Sequence, residues 1–233
     1  FDKSKKTFPK TLRDLFKIFS DRDPLSEVSD DFAKMLDLTQ NMTHLAGQIF
    51  FGEEEKSARD QVLRLDIQVN ELERVIRRAL LVHLAIPGNS ADVPYSLLLM
   101  SLVKDVERLG DYAKNLAEIV DIRPEPHPEG QVLSELMAIR QSVAVAYQSC
   151  AKVVTSAQRK EATELIRRGR ETARRCDQLI TGIGSSDYDA ATTTAFILGT
   201  RYYKRINAHV LNVLSSVVMP LDKVDYYDEK ESP

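Results

Sequence analysis

Two acidic residues, Glu107 and Asp111, stand four positions apart in a stretch that is predicted to be helical. At this spacing both carboxylates lie on one helix face about 6 Å apart, where like charges repel by a few tenths of a kcal/mol. A divalent cation held between them would turn this repulsion into an attraction. The alternative is a solvated helix surface whose negative charge is offset by Lys104, Arg108 and Lys114 on neighbouring turns.

An earlier predicted helix repeats this spacing of oxygen donors. Asp66 and Asn70 stand four positions apart, and Glu73 follows on the next turn. If this helix packs beside the helix of Glu107 and Asp111, the two sets of oxygen atoms would complete one site. Such a site suits magnesium, calcium, manganese or iron better than metals that prefer soft ligands. The predicted metal ligands are Glu107, Asp111, Asp66 and Asn70.

The composition is that of a soluble globular protein, and it limits the classes of function. Of the 233 residues, 43% are apolar and 29% are charged, and the net charge of −3 leaves no overall basic excess to attract a polyanion. The apolar runs are too short to cross a bilayer, and the first residues lack the apolar core of a signal peptide. Cys150 and Cys176 have no CxxC partner, which is typical of buried thiols in a reducing compartment. The sequence therefore predicts a cytoplasmic protein.

Apolar residues recur at intervals of three and four over long stretches that few glycines or prolines interrupt. This pattern predicts an all-α fold with six long helices. The predicted helices cover residues 29–49 with Ser29 as the N-cap, 54–84, 92 to the proline-rich break RPEPHPEG, 132–157, 161–183 and 189–218.

The three helices before the proline-rich break correspond to the three after it, which predicts two tandem three-helix-bundle repeats. The predicted division is a basic amphipathic N-terminal segment (1–28), a first repeat (29–122), a linker (123–128), a second repeat (129–221) and an acidic C-terminal tail (222–233).

Alignment of the two repeats tests whether packing alone requires the acidic residues. The helix VERLGDYAKNLAEIV aligns with YKRINAHVLNVLSSV, and the apolar positions and one arginine are kept. The predicted ligands Glu107, Asp111, Asp66 and Asn70 fall on Lys204, Ala208, Ala173 and Asp177, respectively. Because the second repeat lacks most of the acids, the fold does not demand them.

The stretch LVKDVERLGDYAKNLAEIV resembles the signature of the PhoU family, bacterial proteins tied to phosphate uptake and its control, in which a Glu/Asp-x-x-x-Asp motif precedes Ala-x-Asn. The stretch LDIQVNELE, the six helices and the tandem repeats are similar to the family too, and the resemblance covers residues 29–221.

This resemblance implies a PhoU-like bundle without catalytic activity, in which acidic residues of a repeat hold iron, manganese, magnesium, zinc or another divalent metal. It also implies contact with a phosphate transporter component or a sensor kinase, and we expect a homodimer. The second repeat lacks both acids of the motif, and Asn70 stands where the family often has Asp. At most one metal site is therefore expected.

Motifs that mark common enzyme classes are missing from the sequence. It contains no GxSxG, GxxxxGK[ST] or GxGxxG pattern, and its histidines do not form an HExxH motif. The sequence therefore predicts a protein that is not an enzyme. Two other functions stay open, a metal-storage bundle and, ranked last, a helical protein that binds nucleic acid.

Two clusters of basic residues are candidates for partner contact. Arg167, Arg170 and Arg174 follow one face of the fifth predicted helix, where they could meet phosphate groups or an acidic partner. The pairs Glu164 with Arg168 and Glu171 with Arg175 instead favour a solvated face. The N-terminal segment could lie on an anionic membrane surface, or dock on the bundle or a second subunit, which is the interpretation we favour.

Overall fold

The structure is a computed structural model that describes residues 25–220 and Val224. Within these residues the chain forms six α-helices and no strand, which confirms the predicted all-α fold. The helices are α1 (Leu25–Phe50), α2 (Arg59–Ala85), α3 (Val93–Glu118), α4 (Gln131–Thr155), α5 (Arg159–Gly184) and α6 (Ala190–Val218). The predicted N-terminal segment and acidic tail lie almost entirely outside the described residues.

The predicted start of the first helix is wrong. Helix α1 begins at Leu25, because Leu25 and Val28 are buried and their packing extends the helix upstream. Ser29 is therefore not an N-cap; its hydroxyl donates to the carbonyl oxygen of Leu25 at 3.2 Å and lies 2.6 Å from the hydroxyl of Tyr95.

The second helix begins at Arg59 and not at Glu54, because the chain first makes a turn. Gly52 has a φ of 72°, which is in the left-handed region that favours glycine. The backbone N–H groups of Glu53 and Glu54 then bond to the carbonyl of Gln48 instead of starting a new helix. The other predicted helix starts lie within two residues of the observed ones.

The helices pack as two triangles that share a central contact. Helices α1, α2 and α3 contact one another, as do α4, α5 and α6, and α3 packs along α6. The buried positions of α1 recur in α4 in the same register: Phe32, Met35, Ala46 and Ile49 correspond to Leu136, Ile139, Cys150 and Val153. This recurrence supports the two predicted repeats, and their exact limits stay a prediction.

A buried polar contact joins the two repeats at the centre. The carboxylate oxygen Oδ1 of Asp105 on α3 accepts hydrogen bonds from Nδ1 of His209 and Nδ2 of Asn212 on α6, each at 2.7 Å. On the symmetry-related side of the same helix pair, Tyr112 and Tyr202 lie with their ring centroids 6.2 Å apart. In the repeat alignment these tyrosines correspond to His209 and Asp105, so equivalent positions make a polar contact on one side and an aromatic contact on the other.

The proline-rich connection between the repeats is held against the bundle by two side chains. Nε of Arg123 donates to the hydroxyl of Thr192 at 2.8 Å. The ring of His127 lies 4.5 Å from that of Phe50 and 4.9 Å from that of Phe196, measured between centroids. Burial and the charge of Arg123 lower the pKa of His127 to about 4, against the opposing effect of a hydrogen bond with the backbone of Phe50. His127 is therefore a neutral packing group at neutral pH.

Replacing Asp105 with alanine should lower the free energy of unfolding by about 1–3 kcal/mol, because two partly buried donors lose their acceptor. Urea unfolding monitored by circular dichroism measures this change. The control is Glu171→Ala at an exposed position of α5, which should change stability by less than about 0.5 kcal/mol. Equal effects of the two substitutions would contradict the structural role of Asp105.

His127→Phe should make the protein less sensitive to acid. Between pH 6.5 and about 4 the unfolded chain takes up a proton at His127 that the folded protein excludes, so stability present above pH 6.5 is lost as the pH falls. Phenylalanine keeps a ring in the stack without a titrating group. The loss of unfolding free energy between pH 7 and pH 4.5, measured in urea, should be smaller than in wild type, and equal losses in the two proteins would contradict this role of His127.

Candidate functional site

The predicted ligands lie where α2 and α3 pack side by side. Asp66 and Asn70 are on α2, and Nδ2 of Asn70 donates to Oδ2 of Asp66 at 3.3 Å. Nζ of Lys114 on α3 donates to Oδ2 of Asp66 at 3.1 Å and to Oδ1 of Asp111 at 3.3 Å. The structure therefore brings three of the four predicted ligands together, with an ammonium group between the two carboxylates.

Glu107, the fourth predicted ligand, pairs along its own helix. Its Oε2 accepts a hydrogen bond from Nζ of Lys104 at 2.7 Å. In the second repeat, the residues that align with Asn70 and Glu107 are Asp177 and Lys204, and their side chains form an ion pair at 2.5 Å. These two positions therefore face each other across a helix pair in that repeat.

Basic side chains already balance the acidic pair that opened the sequence analysis. Asp111 accepts a second hydrogen bond from Arg108 at 2.8 Å, in addition to that from Lys114. Burial by itself would lower the pKa of Lys114, but hydrogen bonds to Asp66 and Asp111 and the charges of these residues outweigh it and raise the pKa above its usual value. The ammonium form of Lys114 is thus favoured in the folded protein.

In the described arrangement an ammonium group occupies the position between Asp66 and Asp111 where a divalent metal is predicted. Among the described residues, no group of three or more His, Cys, Asp or Glu side chains is placed to hold a metal ion. A cation entering between Asp66 and Asp111 would have to displace the ammonium of Lys114. The metal site accordingly stays a prediction, and it depends on movement of that lysine.

The predicted arginine row lies on the exposed face of α5. Arg167, Arg170 and Arg174 are all exposed, and Arg167 and Arg174 form ion pairs with Glu164 and Glu171 at 2.9 and 2.8 Å. Hydrogen bonds from two arginines, Arg167 and Arg168, lower the pKa of Glu164 to about 2.

One of the two helix-stabilising pairs predicted on α5 is wrong. Arg168 pairs with Glu164 at 2.8 Å as expected, but Arg175 does not pair with Glu171. Arg175 instead reaches across to Glu135 of α4 at 2.7 Å, because it lies at the edge of the α4–α5 interface. Sequence spacing had no signal for this contact, since Glu135 belongs to another helix.

Two further expectations concern the thiols and the membrane. Cys150 and Cys176 are free and buried, and burial raises the pKa of each thiol to about 12. Both thiols are therefore unreactive packing groups, as predicted. None of the described helices combines the length and apolar character that a bilayer span requires.

One family model matches the first repeat, and two solved structures are similar to the fold of the chain. Residues 32–120 match the family model of the PhoU domain. The crystal structure of PhoU from Pseudomonas aeruginosa is similar with a TM-score of 0.77 at 19% identity, covering 84% of this chain and 95% of that chain.

A second solved structure gives the same result. The phosphate transport system regulatory protein PhoU from Streptococcus pneumoniae is similar with a TM-score of 0.74 at 16% identity, covering 87% of this chain and 95% of that chain. No curated protein sequence matches the chain.

If Lys114 is what keeps a cation out, Lys114→Met should take up more Mn²⁺ than the wild type. Removing the ammonium leaves Asp66 and Asp111 without the cation that bridges them across the two helices, and a bound metal ion would raise the melting temperature by binding only the folded state. Equilibrium dialysis followed by elemental analysis measures the uptake, and thermal unfolding with and without Mn²⁺ measures the shift.

The matched variant for this experiment combines Lys114→Met with Glu107→Gln and Asp111→Asn, which should bind no Mn²⁺. Equal uptake by this variant and by Lys114→Met would exclude Glu107 and Asp111 as ligands. No uptake by Lys114→Met would assign the acidic residues to a solvated surface.

Proposed function

We propose that this chain, which carries a PhoU domain in residues 32–120 and has the PhoU fold across its described helices, is a non-enzymatic regulator of phosphate uptake. The observation that carries the proposal is the match of the PhoU domain model to the repeat that contains the acidic motif of Glu107 and Asp111. Fold similarity alone would support less, because one fold serves many functions.

Regulation in this proposal works by contact with a component of a phosphate transporter or with its sensor kinase. The relative from Streptococcus pneumoniae is itself described as a regulatory protein of the phosphate transport system, which supports this choice of partner. We propose further that the protein acts in the cytoplasm, where its two buried thiols stay reduced, and that it forms a homodimer. Binding of a divalent metal at the acidic site would be a second way to regulate the same contact.

The arginine row of α5 is the surface that we assign to the partner. Arg167, Arg170 and Arg174 present their guanidinium groups to solvent along one helix face. The ion pairs of Arg167 and Arg174 with acids of the same helix are exposed, so solvent screens them and each arginine can exchange its acid for an acidic partner at little cost. Planar guanidinium groups suit bidentate contacts with carboxylates or phosphates.

Pull-downs with the full chain, from cells grown at low and at high phosphate, should recover a transporter component or its sensor kinase. The double substitution Arg167→Glu and Arg174→Glu should reduce this recovery roughly tenfold, because it reverses two charges that attract an acidic partner. Immunoblotting of the recovered proteins measures the change.

The control for charge is Arg74→Glu combined with Arg78→Glu, because both residues are exposed on α2, which is the counterpart of α5 in the first repeat. This control changes the net charge equally and should bind as wild type does. Equal losses in both double variants would exclude the arginine row as the contact. A phosphatase or nucleotide hydrolase activity that one point substitution abolishes would overturn the proposed function.

A further inference from the structure

An exposed apolar groove lies beside the first residue of α1 and along the C-terminal half of α2. Its volume is about 430 Å³. Three large apolar side chains that line it are open to solvent, with exposed fractions of 46% for Val75, 59% for Val82 and 52% for Ile86. Leu25, with which α1 begins, also borders the groove. Contiguous exposed apolar surface commonly marks the place where another segment or molecule binds.

Packing within a repeat does not require this apolar surface. In the alignment of the two repeats, Gly184 at the end of α5 corresponds to Arg77 of α2. Roughly the last two turns of α2 therefore extend beyond the helix that corresponds to it in the second repeat. Val82 lies in this extension, and Ile86 directly follows it. The second repeat folds without a counterpart of either residue.

The segment that precedes α1 carries an apolar stripe of its own. This segment lies outside the described residues, and its sequence has apolar residues at intervals of three and four, at Leu12, Leu15, Phe16 and Phe19. Such spacing predicts a single apolar helix face. The basic residues Lys10, Arg13 and Lys17 accompany this apolar stripe.

The length of the connection keeps the apolar stripe within reach of the groove. Phe19 stands six residues before Leu25, and six extended residues span at most about 20 Å. The groove follows α2 from Val75 to Ile86, a distance of about 16 Å along the helix. Pro24 directly precedes α1 and disfavours a helical conformation at the residue before it, so a change of chain direction is expected there.

Charge favours the same occupant. Residues 25–33, at the start of α1, include Glu27, Asp30 and Asp31 and contain no lysine or arginine. This negative end of α1 borders the groove and attracts the basic residues that accompany the apolar stripe. Arg78 also lines the groove, but it is exposed, so its guanidinium can stay in water while its aliphatic stem contacts apolar side chains.

We propose that the groove binds the apolar stripe of the segment that precedes α1 in the same molecule. Removal of the stripe and of the exposed side chains of α2 from water drives this contact. The direct connection through Leu25 favours the chain's own segment over a second molecule, because the two surfaces are already held close together. The proposal does not depend on the proposed function, since it involves neither the arginine row of α5 nor a transporter.

Limited digestion of the full chain with trypsin tests the contact, because Arg13 and Lys17 lie within the apolar stripe. Mass spectrometry measures the rate of cleavage after each of these residues. Val82→Glu places a charge in the groove and should speed both cleavages roughly tenfold, since cleavage follows the population in which the segment is released. Val75→Glu should have the same effect. The sequence of the cleaved segment is identical in all variants, so its intrinsic susceptibility does not change.

Leu81→Glu is the matched control, because Leu81 is on the same helix, is 61% exposed and is not among the described residues that line the groove. It should be cleaved at the rate of wild type. Equal rates in wild type, Val82→Glu and Val75→Glu would overturn the proposal. Protection that is lost on dilution would assign the groove to a second copy of the chain. Protection that arises only with phosphatidylcholine vesicles containing phosphatidylserine would assign the segment to a membrane surface, and either result overturns the proposal.

Discussion

The burial of α3 against α6 is the interaction on which the rest of the structure depends. Each of these helices packs against both other helices of its own triangle and against the other central helix, and 13 of the 26 residues of α3 and 15 of the 29 residues of α6 are buried. A helix whose buried residues extend beyond one narrow stripe needs packing partners on more than one face. The two other helices of a repeat cover only part of α3, so the second repeat completes its burial through α6. The two repeats form one bundle for this reason, and Asp105 contributes hydrogen bonds to the same contact.

Approximate symmetry around this contact makes the differences between the repeats informative. The apolar positions of the two halves correspond closely, because both must bury the same faces. The polar and charged residues of the two repeats differ at positions where packing does not fix the type of side chain. The first repeat places acidic residues and Lys114 between α2 and α3, whereas the second has the pair of Asp177 and Lys204 at equivalent positions. The second repeat also contributes Arg140 and Tyr203 to the lining of a small cavity between α1 and α4.

The acidic pair of Glu107 and Asp111 is tolerated because cations surround it. Like charges one turn apart cost a few tenths of a kcal/mol, and an opposite charge at similar spacing gains about as much. Lys104 and Arg108 provide such charges on the same helix, and Lys114 adds a bridge to Asp66 of α2. The raised pKa of Lys114 indicates that attraction exceeds the cost of its partial burial. A divalent ion must compete with this ammonium, so metal binding and lysine pairing exclude each other at one position.

Local residue patterns were enough to predict the helices, their approximate limits, the two repeats and the shared face of Glu107 and Asp111, because these features depend on residues within a few turns of one another. Which charges meet depends instead on how the helices pack. Lys114 joins Asp66, Arg175 joins Glu135, and His209 joins Asp105 across separate helices, and no local spacing encodes such contacts. The early start of α1 at Leu25 and the cavity between α1 and α4 have the same origin. Both follow from how distant helices pack, which sets the burial of each residue and the space left between them.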